Sequence, residues 1–417
     1  APHELQYIAG VDGDFEELLL DLQRPHEGDS KCIAPLDEWI FNSLEERKNH
    51  RGESLPWSKF YSKNEGYCDN ARRYLQSNQR ALPPGVPQVP IKAGDESWSR
   101  MSMLRSVLDR YVRYGLRLSK SKTDHERAES VIARLRLLGV QITETGSRPC
   151  ASPVGRMMAY ASSKVEALNE IITVEMQALG PNIRAVVVTD FEKTSATTLV
   201  EGVLDKEAGG AIAVLRSLVK HQAGDHLDPI LMTGSTVLVD DDLAERFLQR
   251  AEAWVKEREL DVTFTDEIHD GYHEIHGRGK HWVPRYYSLM ITEFFQDGFT
   301  KCLVGTRGLL GEGWDASRIN VLIDMTTVTT SMSINQLRGR SIRLDKKWEG
   351  KVANNWDIVC VADEFTKGFD DYQRFKQKHK QLYGVCDDGA IEKGVRSEEH
   401  TSELQSTRVN SYAVFCL

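Results

Sequence analysis

No apolar run in the 417 residues approaches the length of a membrane span. The opening APHELQYIAGVDGD lacks the basic-then-apolar pattern of a secretory signal. It also lacks an initiator Met, from which we expect a fragment of a longer chain. The seven cysteines (Cys32, Cys68, Cys150, Cys302, Cys360, Cys386 and Cys416) are scattered and contain no C-x-x-C. That spacing predicts reduced thiols in a cytoplasmic protein rather than disulfides or zinc. The pattern G-x-x-x-x-G-K-[ST] occurs nowhere, so the backbone cradle and lysine that hold β- and γ-phosphates are missing. An excess of positive charge is missing too: the net charge is −9, which excludes a generally basic nucleic-acid coat. A protein that grips phosphates through a few groups in a cleft needs no such excess.

What the sequence does contain is concentrated between Lys301 and Asp345. Two short apolar runs, KCLVGT and INVLIDMTT, have the continuous hydrophobicity of strands buried on both faces. Between them lies a loop with Gly305, Gly308, Gly311 and Gly313, ending in Trp314 and Asp315. A segment of helical period follows, carrying Arg338, Arg340 and Arg343. Gln336, Arg340 and Arg343 are spaced i, i+4, i+7 and predict one stripe on a helix, with Ile334, Leu337 and Leu344 seating a neighbouring stripe on the sheet. Two rigid, always-charged guanidiniums beside an amide suit a planar anion with several oxygens, such as a transferring phosphoryl group. The alternative is a surface helix whose arginines pair with carboxylates. Gly339 argues against it, because a mid-helix glycine costs about 1 kcal/mol and marks close approach of another group.

QLRGRSIR at 336–343 resembles the Q-x-x-G-R-x-x-R signature (motif VI) in the second lobe of DEAD/DEAH-type superfamily-two helicases. LVGTRGLLGEGWD at 303–315 is similar to motif V of the same lobe. RAVVVTD takes the place of motif IV, and the likeness covers roughly residues 157–384. The resemblance implies an α/β fold with a RecA-like parallel sheet flanked by helices. It implies that Arg340 and Arg343 are arginine fingers on the γ-phosphate of ATP, with Gln336 at the same phosphate. Gly311, Gly313 and Asp315 would couple nucleotide to the lobe. Thr306, Arg307 and Thr189 would contact nucleic acid, with DNA ahead of RNA as the track. The D-E-A-D or D-E-A-H box that would hold Mg²⁺ is absent, as is the lysine loop. ATP with Mg²⁺ would therefore sit mainly on an N-terminal RecA-like lobe of the same protein, and this chain alone would be inactive. No protein metal site is expected.

Residues 1–150 read as a helical accessory or inter-lobe region with a Pro-rich linker, LPPGVPQVP, at 82–90. From Glu96 to Lys122 a helical pattern carries five arginines and two lysines against two acids. Such a helix either lies along a nucleic-acid backbone or presents a solvated face. Thr123 and Glu126 predict a capping box for the next helix. Residues 151–395 alternate strand and helix, which implies right-handed crossovers and ligands at the strands' carboxyl ends. PILMTGSTVLV at 229–239 reads as a strand unit, and the insert 261–283 as an exposed hairpin around Asp270-Gly271. Alternation along that hairpin splits His269, His273, His276 and His281 between faces. Residues 396–417 resemble the conceptual translation of a sequencing adapter and predict an artefactual or disordered tail.

Three functions remain open on sequence alone. The first is the second motor lobe of an ATP-dependent helicase or translocase, which includes the motor subunit of a restriction-type nuclease. The second is a non-catalytic nucleic-acid-binding scaffold. The third uses GLLGEG as a dinucleotide loop, but its order is G-x-x-G-x-G rather than G-x-G-x-x-G.

Overall fold

The computed structural model describes residues 2–26, 29–49, 51–89, 100–192, 210–222, 224–311, 314–327, 329, 331–345, 348, 350–362, 364–381, 383–385, 391–394 and 412–416. The chain divides into two compact units: Pro2–Arg156 with Glu364–Lys367, and Met157–Asp363 with Gly368–Leu417 and Ala1.

The first unit is mainly helical. Its helices are α1 (Pro2–Leu22), α2 (Leu36–Glu46), α3 (Trp57–Lys63), α4 (Glu65–Ser77), α5 (Arg100–Tyr114) and α6 (Lys122–Leu137), followed by the hairpin β1 (Val140–Thr143) and β2 (Gly146–Pro149). The apolar side expected of α5 is its core side: Leu104, Leu108, Tyr111 and Val112 are buried. The basic residues of this helix serve the unit itself. Arg105 donates to the Ser147 hydroxyl and carbonyl at 2.8 and 3.0 Å, and the Arg110 guanidinium lies 4.4 Å from the centre of the Tyr67 ring. The start of α6 corrects the capping expectation. Its cap is Ser121, whose hydroxyl accepts from the Asp124 N–H at 3.4 Å, so Thr123 falls inside the first turn.

Helix α7 (Pro153–Ala159) straddles the junction between the units in the chain. The second unit then runs α8 (Ser162–Leu179), β3 (Ala185–Thr189), α9 (Ala211–Lys220), α10 (Gly224–Leu227), β4 (Ile230–Met232), β5 (Val237–Asp240), α11 (Asp241–Glu257), β6 (Thr263–Ile268), β7 (Tyr272–Arg278) and α12 (Pro284–Asp297). It continues with β8 (Cys302–Thr306), α13 (Arg307–Gly311), β9 (Val321–Asp324), α14 (Ser331–Ser341), β10 (Asn354–Cys360), α15 (Asp370–His379), the small pair β11 (Tyr383–Val385) and β12 (Ile391–Lys393), and β13 (Tyr412–Cys416).

These strands make one large mixed sheet in the order β13-β10-β9-β3-β8-β4-β5-β7-β6. The central five, from β10 to β4, are parallel. Side chains alternate across a strand, so each buried strand must find cover on both faces. Val186 and Val188 of β3 pack with Phe247 of α11 and Phe294 of α12, whereas Ala185 and Val187 pack with Leu168 of α8 and Leu215 of α9. The result is three layers, helix on sheet on helix. Helix α12 shows how local chemistry sets the ends. Pro284 occupies its first turn, and Gly298 closes it in the left-handed region at φ 82°, donating back to the Phe294 and Phe295 carbonyls.

Two expectations change at the far side of the sheet. Residues 229–239 form not one strand but the antiparallel pair β4 and β5, turned at Thr233-Gly234-Ser235-Thr236, where the Thr233 N–H donates to the Thr236 carbonyl at 2.9 Å. The hairpin β6–β7 turns at Asp270-Gly271 but is not a free excursion: β7 pairs with β5 and buries Tyr272 and Ile275. At the opposite edge the backbone of β13 runs antiparallel to β10, and residues 395–411 of the tail lie outside the described residues. Among the described residues no helix is long and apolar enough to cross a membrane.

Candidate functional site

Parallel strands end on a common edge, and here that edge collects Thr189 and Asp190 after β3, Thr306 and Arg307 after β8, and Asp324 to Thr327 after β9. The loop that sequence reading placed after β8 begins instead as the short helix α13, folded back on its own strand. Gly305 permits this. A Cβ there would lie 2.7 Å from Leu310 Cδ1, closer than real Cβ contacts come, and a tight 3.0 Å from the Met232 carbonyl oxygen. The close approach leaves the Leu310 carbonyl facing α14.

Arg340 meets that carbonyl. Its side chain is 7% exposed and its Nη1 donates to the Leu310 oxygen. Arg343 is exposed and pairs with Asp315, also exposed, so both arginines are drawn onto the segment between β8 and β9. Burial, and behind it the like charge of Arg343, lowers the proton affinity of the Arg340 guanidinium, while Asp315 opposes the shift. The two guanidiniums thus lie close enough to act on each other, with Asp315 beside them. Arg343 does not complete the predicted helical stripe, because α14 ends at Ser341. Leu344, expected to seat the helix, lies beyond that end and is 86% exposed.

The end of α14 is fixed by a residue the sequence reading did not single out. The Lys351 ammonium donates to the carbonyls of Ser317, Ser341 and Arg343 at 2.7, 2.8 and 2.7 Å. A cation at a helix C-terminus satisfies carbonyls that have no helical partner. Burial lowers its proton affinity and Asp345 opposes this. One side chain thereby ties the segment carrying Arg343 to the segment following Asp315.

The remaining expected residues are dispersed. Gln336 is exposed on α14, Arg307 is exposed and Thr306 half-buried at the head of α13, and Gly311 is the last residue of that helix. Gly313 lies outside the described residues. Thr189 does not face solvent: it is fully buried and its hydroxyl donates to the Phe191 carbonyl at 3.0 Å. A Cβ at Gly339 would meet nothing within 4 Å, so no described protein group explains the glycine. Among the hairpin histidines, His273 Nδ1 lies 2.6 Å from Asp266, His281 Nδ1 accepts from the Asp261 N–H at 2.8 Å, and His269 and His276 both lie 3.8 Å from Glu267. Burial pushes the Cys302 thiol up to about 12 and Cys68 to about 11, which leaves neither reactive near neutral pH.

No protein-family model matches the chain, and no curated protein matches it. Among solved structures it is similar to the Hef helicase domain of Pyrococcus furiosus, at 14% identity and a TM-score of 0.24. That match covers 81% of this chain and 51% of the other, so the chain spans about half of that structure's length.

Beneath α14 lies a cluster of buried charge that motif reading missed. Lys378 of α15, 6% exposed, donates to Asp357 of β10 and to Asp324 of β9, the latter at 2.6 Å. Arg338 of α14 and His379 of α15 reach the other oxygen of Asp357. Beside them Lys164 of α8 and Arg374 pair with Asp371, which also accepts the Cys360 N–H at 2.9 Å. Burial alone would raise both Asp357 and Asp371. The cations around them reverse this and hold both carboxyls below their ordinary range. The sequence carried a signal: an aspartate inside WDIVCVA and another closing NVLID are charges in strands buried on both faces, and such charges require partners.

Among the described residues, Asp240, Asp241 and Asp242 form the one group of three potential metal-ligand side chains, with ligand atoms within 4.8 Å of one another. Helix capping accounts for Asp240, which accepts from the Asp242 N–H at 3.3 Å at the start of α11. Burial, then the hydrogen bond with Asp241, raises its carboxyl to about 7. A raised carboxyl favours the fold fully below its unfolded value and loses that contribution as pH rises through the folded one. Asp240→Asn keeps the cap, so it is expected to stabilise the protein by about 1 kcal/mol at pH 8 and not at pH 4.5. Urea midpoints at the two pH values check this, and equal changes at both would contradict it.

Proposed function

We propose that this chain is the second, RecA-like motor lobe of an ATP-dependent nucleic-acid helicase or translocase. One observation carries the reading: the arginine segment touches the glycine segment that follows the carboxyl end of β8, Arg340 on the Leu310 carbonyl and Arg343 on Asp315. In the proposed cycle, ATP with Mg²⁺ is held by a partner lobe that brings the lysine loop and acidic box. Closure of the two lobes offers γ-phosphate oxygens to Arg340 and Arg343, which exchange a neutral carbonyl and an exposed carboxylate for a multiply charged anion. Charge developing on the transferring group is then met by two pre-placed guanidiniums. Hydrolysis returns the arginines to Leu310 and Asp315, and the lobe reopens. Thr306 and Arg307, at the head of α13, are the groups of this edge proposed to touch a nucleic-acid phosphate, DNA ahead of RNA. Thr189 is not among them.

The same contacts also suit a non-catalytic scaffold, since both arginines are satisfied within the chain. Hydrolysis separates the two readings. The isolated chain is expected to turn over no ATP, and the protein carrying both lobes is expected to show nucleic-acid-stimulated hydrolysis. Robust turnover by the isolated chain, or none by the two-lobe protein, would overturn the motor reading.

A further inference from the structure

The third arginine of the segment has no part in the proposed chemistry, yet it is held by side chains of two other elements. Arg338 Nη2 donates both to Asp357 Oδ2 and to His379 Nε2. The histidine's other nitrogen, Nδ1, lies 2.8 Å from the Phe375 carbonyl oxygen. A carbonyl can only accept, so Nδ1 carries the proton and Nε2 presents a lone pair to the guanidinium. Both N–H groups of one Arg338 nitrogen therefore have acceptors on other elements, one on β10 and one on α15. Asp357 is itself fixed by Lys378, which reaches across to Asp324 at 2.6 Å. Asp324 Oδ1 in turn receives the Thr326 N–H and hydroxyl at 2.9 and 2.7 Å.

We infer that Arg338 is a positioning residue that sets the rotation of α14, and through it the direction of Arg340. An α-helix turns about 100° per residue, so side chains two apart point to nearly opposite sides. With Arg338 anchored toward β10 and α15, Arg340 must point toward α13, where the Leu310 carbonyl lies. A roll of α14 that withdrew Arg340 would pull Arg338 from its carboxylate and leave Asp357 and His379 short of a buried donor. Such a loss costs more than an exposed pair returns. The clamp is two-sided: Arg338 holds α14 on β10 and α15, and Arg340 meets α13 on the other side.

The catalytic consequence rests on the motor reading; the clamp itself does not. Amide hydrogen exchange on the full chain tests the clamp. In Arg338→Met, which keeps the apolar stem, the amides of α14 are expected to exchange at least about tenfold faster while those of α8 and α11 keep their protection. Arg338→Lys, which can still reach Asp357, is expected to restore part of the protection. Should Arg338→Met unfold the chain, His379→Phe removes only the imidazole acceptor and is expected to loosen α14 in the same way, with His379→Gln restoring it. Unchanged α14 exchange in the folded variants overturns the clamp. In the two-lobe protein, Arg338→Met is expected to lower kcat about tenfold or more with the nucleotide KM unchanged, because Arg338 touches no nucleotide. An unchanged kcat alongside loosened α14 would overturn the positioning role. Absence of hydrolysis by the wild-type protein would overturn the motor reading while the exchange result stands.

Discussion

Arg343→Ala, made in the protein that carries both lobes, is expected to abolish nucleic-acid-stimulated ATP hydrolysis and leave the fold intact. Arginines that stabilise a transferring phosphoryl group are worth about 10³–10⁵ in rate in other phosphoryl-transfer systems. The pair that Arg343 makes with Asp315 is exposed on both sides, with side chains 47% and 66% accessible. Exposed pairs contribute about 0–1 kcal/mol, so the thermal midpoint is expected to stay within a few degrees. Strand affinity is expected to change by no more than a few fold, because Arg343 belongs to the nucleotide side of the proposed cleft. This separation of activity from stability makes Arg343 the better test than Arg340. Arg340 is buried against the Leu310 carbonyl, and its removal would orphan that acceptor as well. Retained turnover in Arg343→Ala would remove the finger assignment.

Asp357→Ala is expected to be the most damaging single change to stability in the second unit. Asp357 is 3% exposed and is the carboxylate on which Lys378 and Arg338 converge. Removing one partner of a buried ion pair costs about 3–5 kcal/mol, because the desolvated charges left behind have nothing to oppose them. Much of that cost falls on Lys378. Burial would lower its proton affinity, but Asp324 and Asp357 together raise it above the ordinary lysine value. The pH dependence has a definite sign. A carboxyl held below its ordinary range contributes stability that is present above the unfolded value, about 3.9, and lost as pH falls through the folded one. The gap between wild type and Asp357→Ala is therefore expected to be widest above about pH 5 and to narrow toward pH 2. Urea unfolding across that range measures it. A gap that grows on acidification would contradict the assignment of Asp357 as an ionised partner.

The two predictions concern the segment just beyond α14 and the strand beneath it, and they were not equally visible before the structure. The patterns SSKVEALNEIITVEMQALG (162–180), DDLAERFLQRAEAWVKE (241–257) and PRYYSLMITEFFQDG (284–298) match α8, α11 and α12 nearly to the residue. A helix flanked by proline, aspartate and glycine, with its apolar side on period, carries its own boundaries. The buried strands β3, β8 and β9 were legible for a similar reason, since four or five consecutive apolar residues can be covered only inside a sheet. The T-G-S-T turn that divides β4 from β5 was present in the sequence but read as strand, because apolar runs on both sides masked it. The end of α14 was misread as well. Helical spacing extends through Arg343 on paper, whereas Lys351, ten and eight residues further on, takes the Ser341 and Arg343 carbonyls.

By itself the sequence determined the helices α8, α11 and α12 and the buried strands β3, β8 and β9, because hydrophobic period and end residues act over a few positions. It also determined that two arginines and a glycine-rich segment lie close in the chain. Tertiary structure alone decided that these meet, with Arg340 on Leu310 and Arg343 on Asp315, and that Arg338 points the other way into buried carboxylates. The physical reason is range. Periodicity is local, whereas the partner of a buried charge is chosen by whichever strand or helix the fold brings within hydrogen-bonding distance, and for Arg338 those partners lie 19 and 41 residues further on.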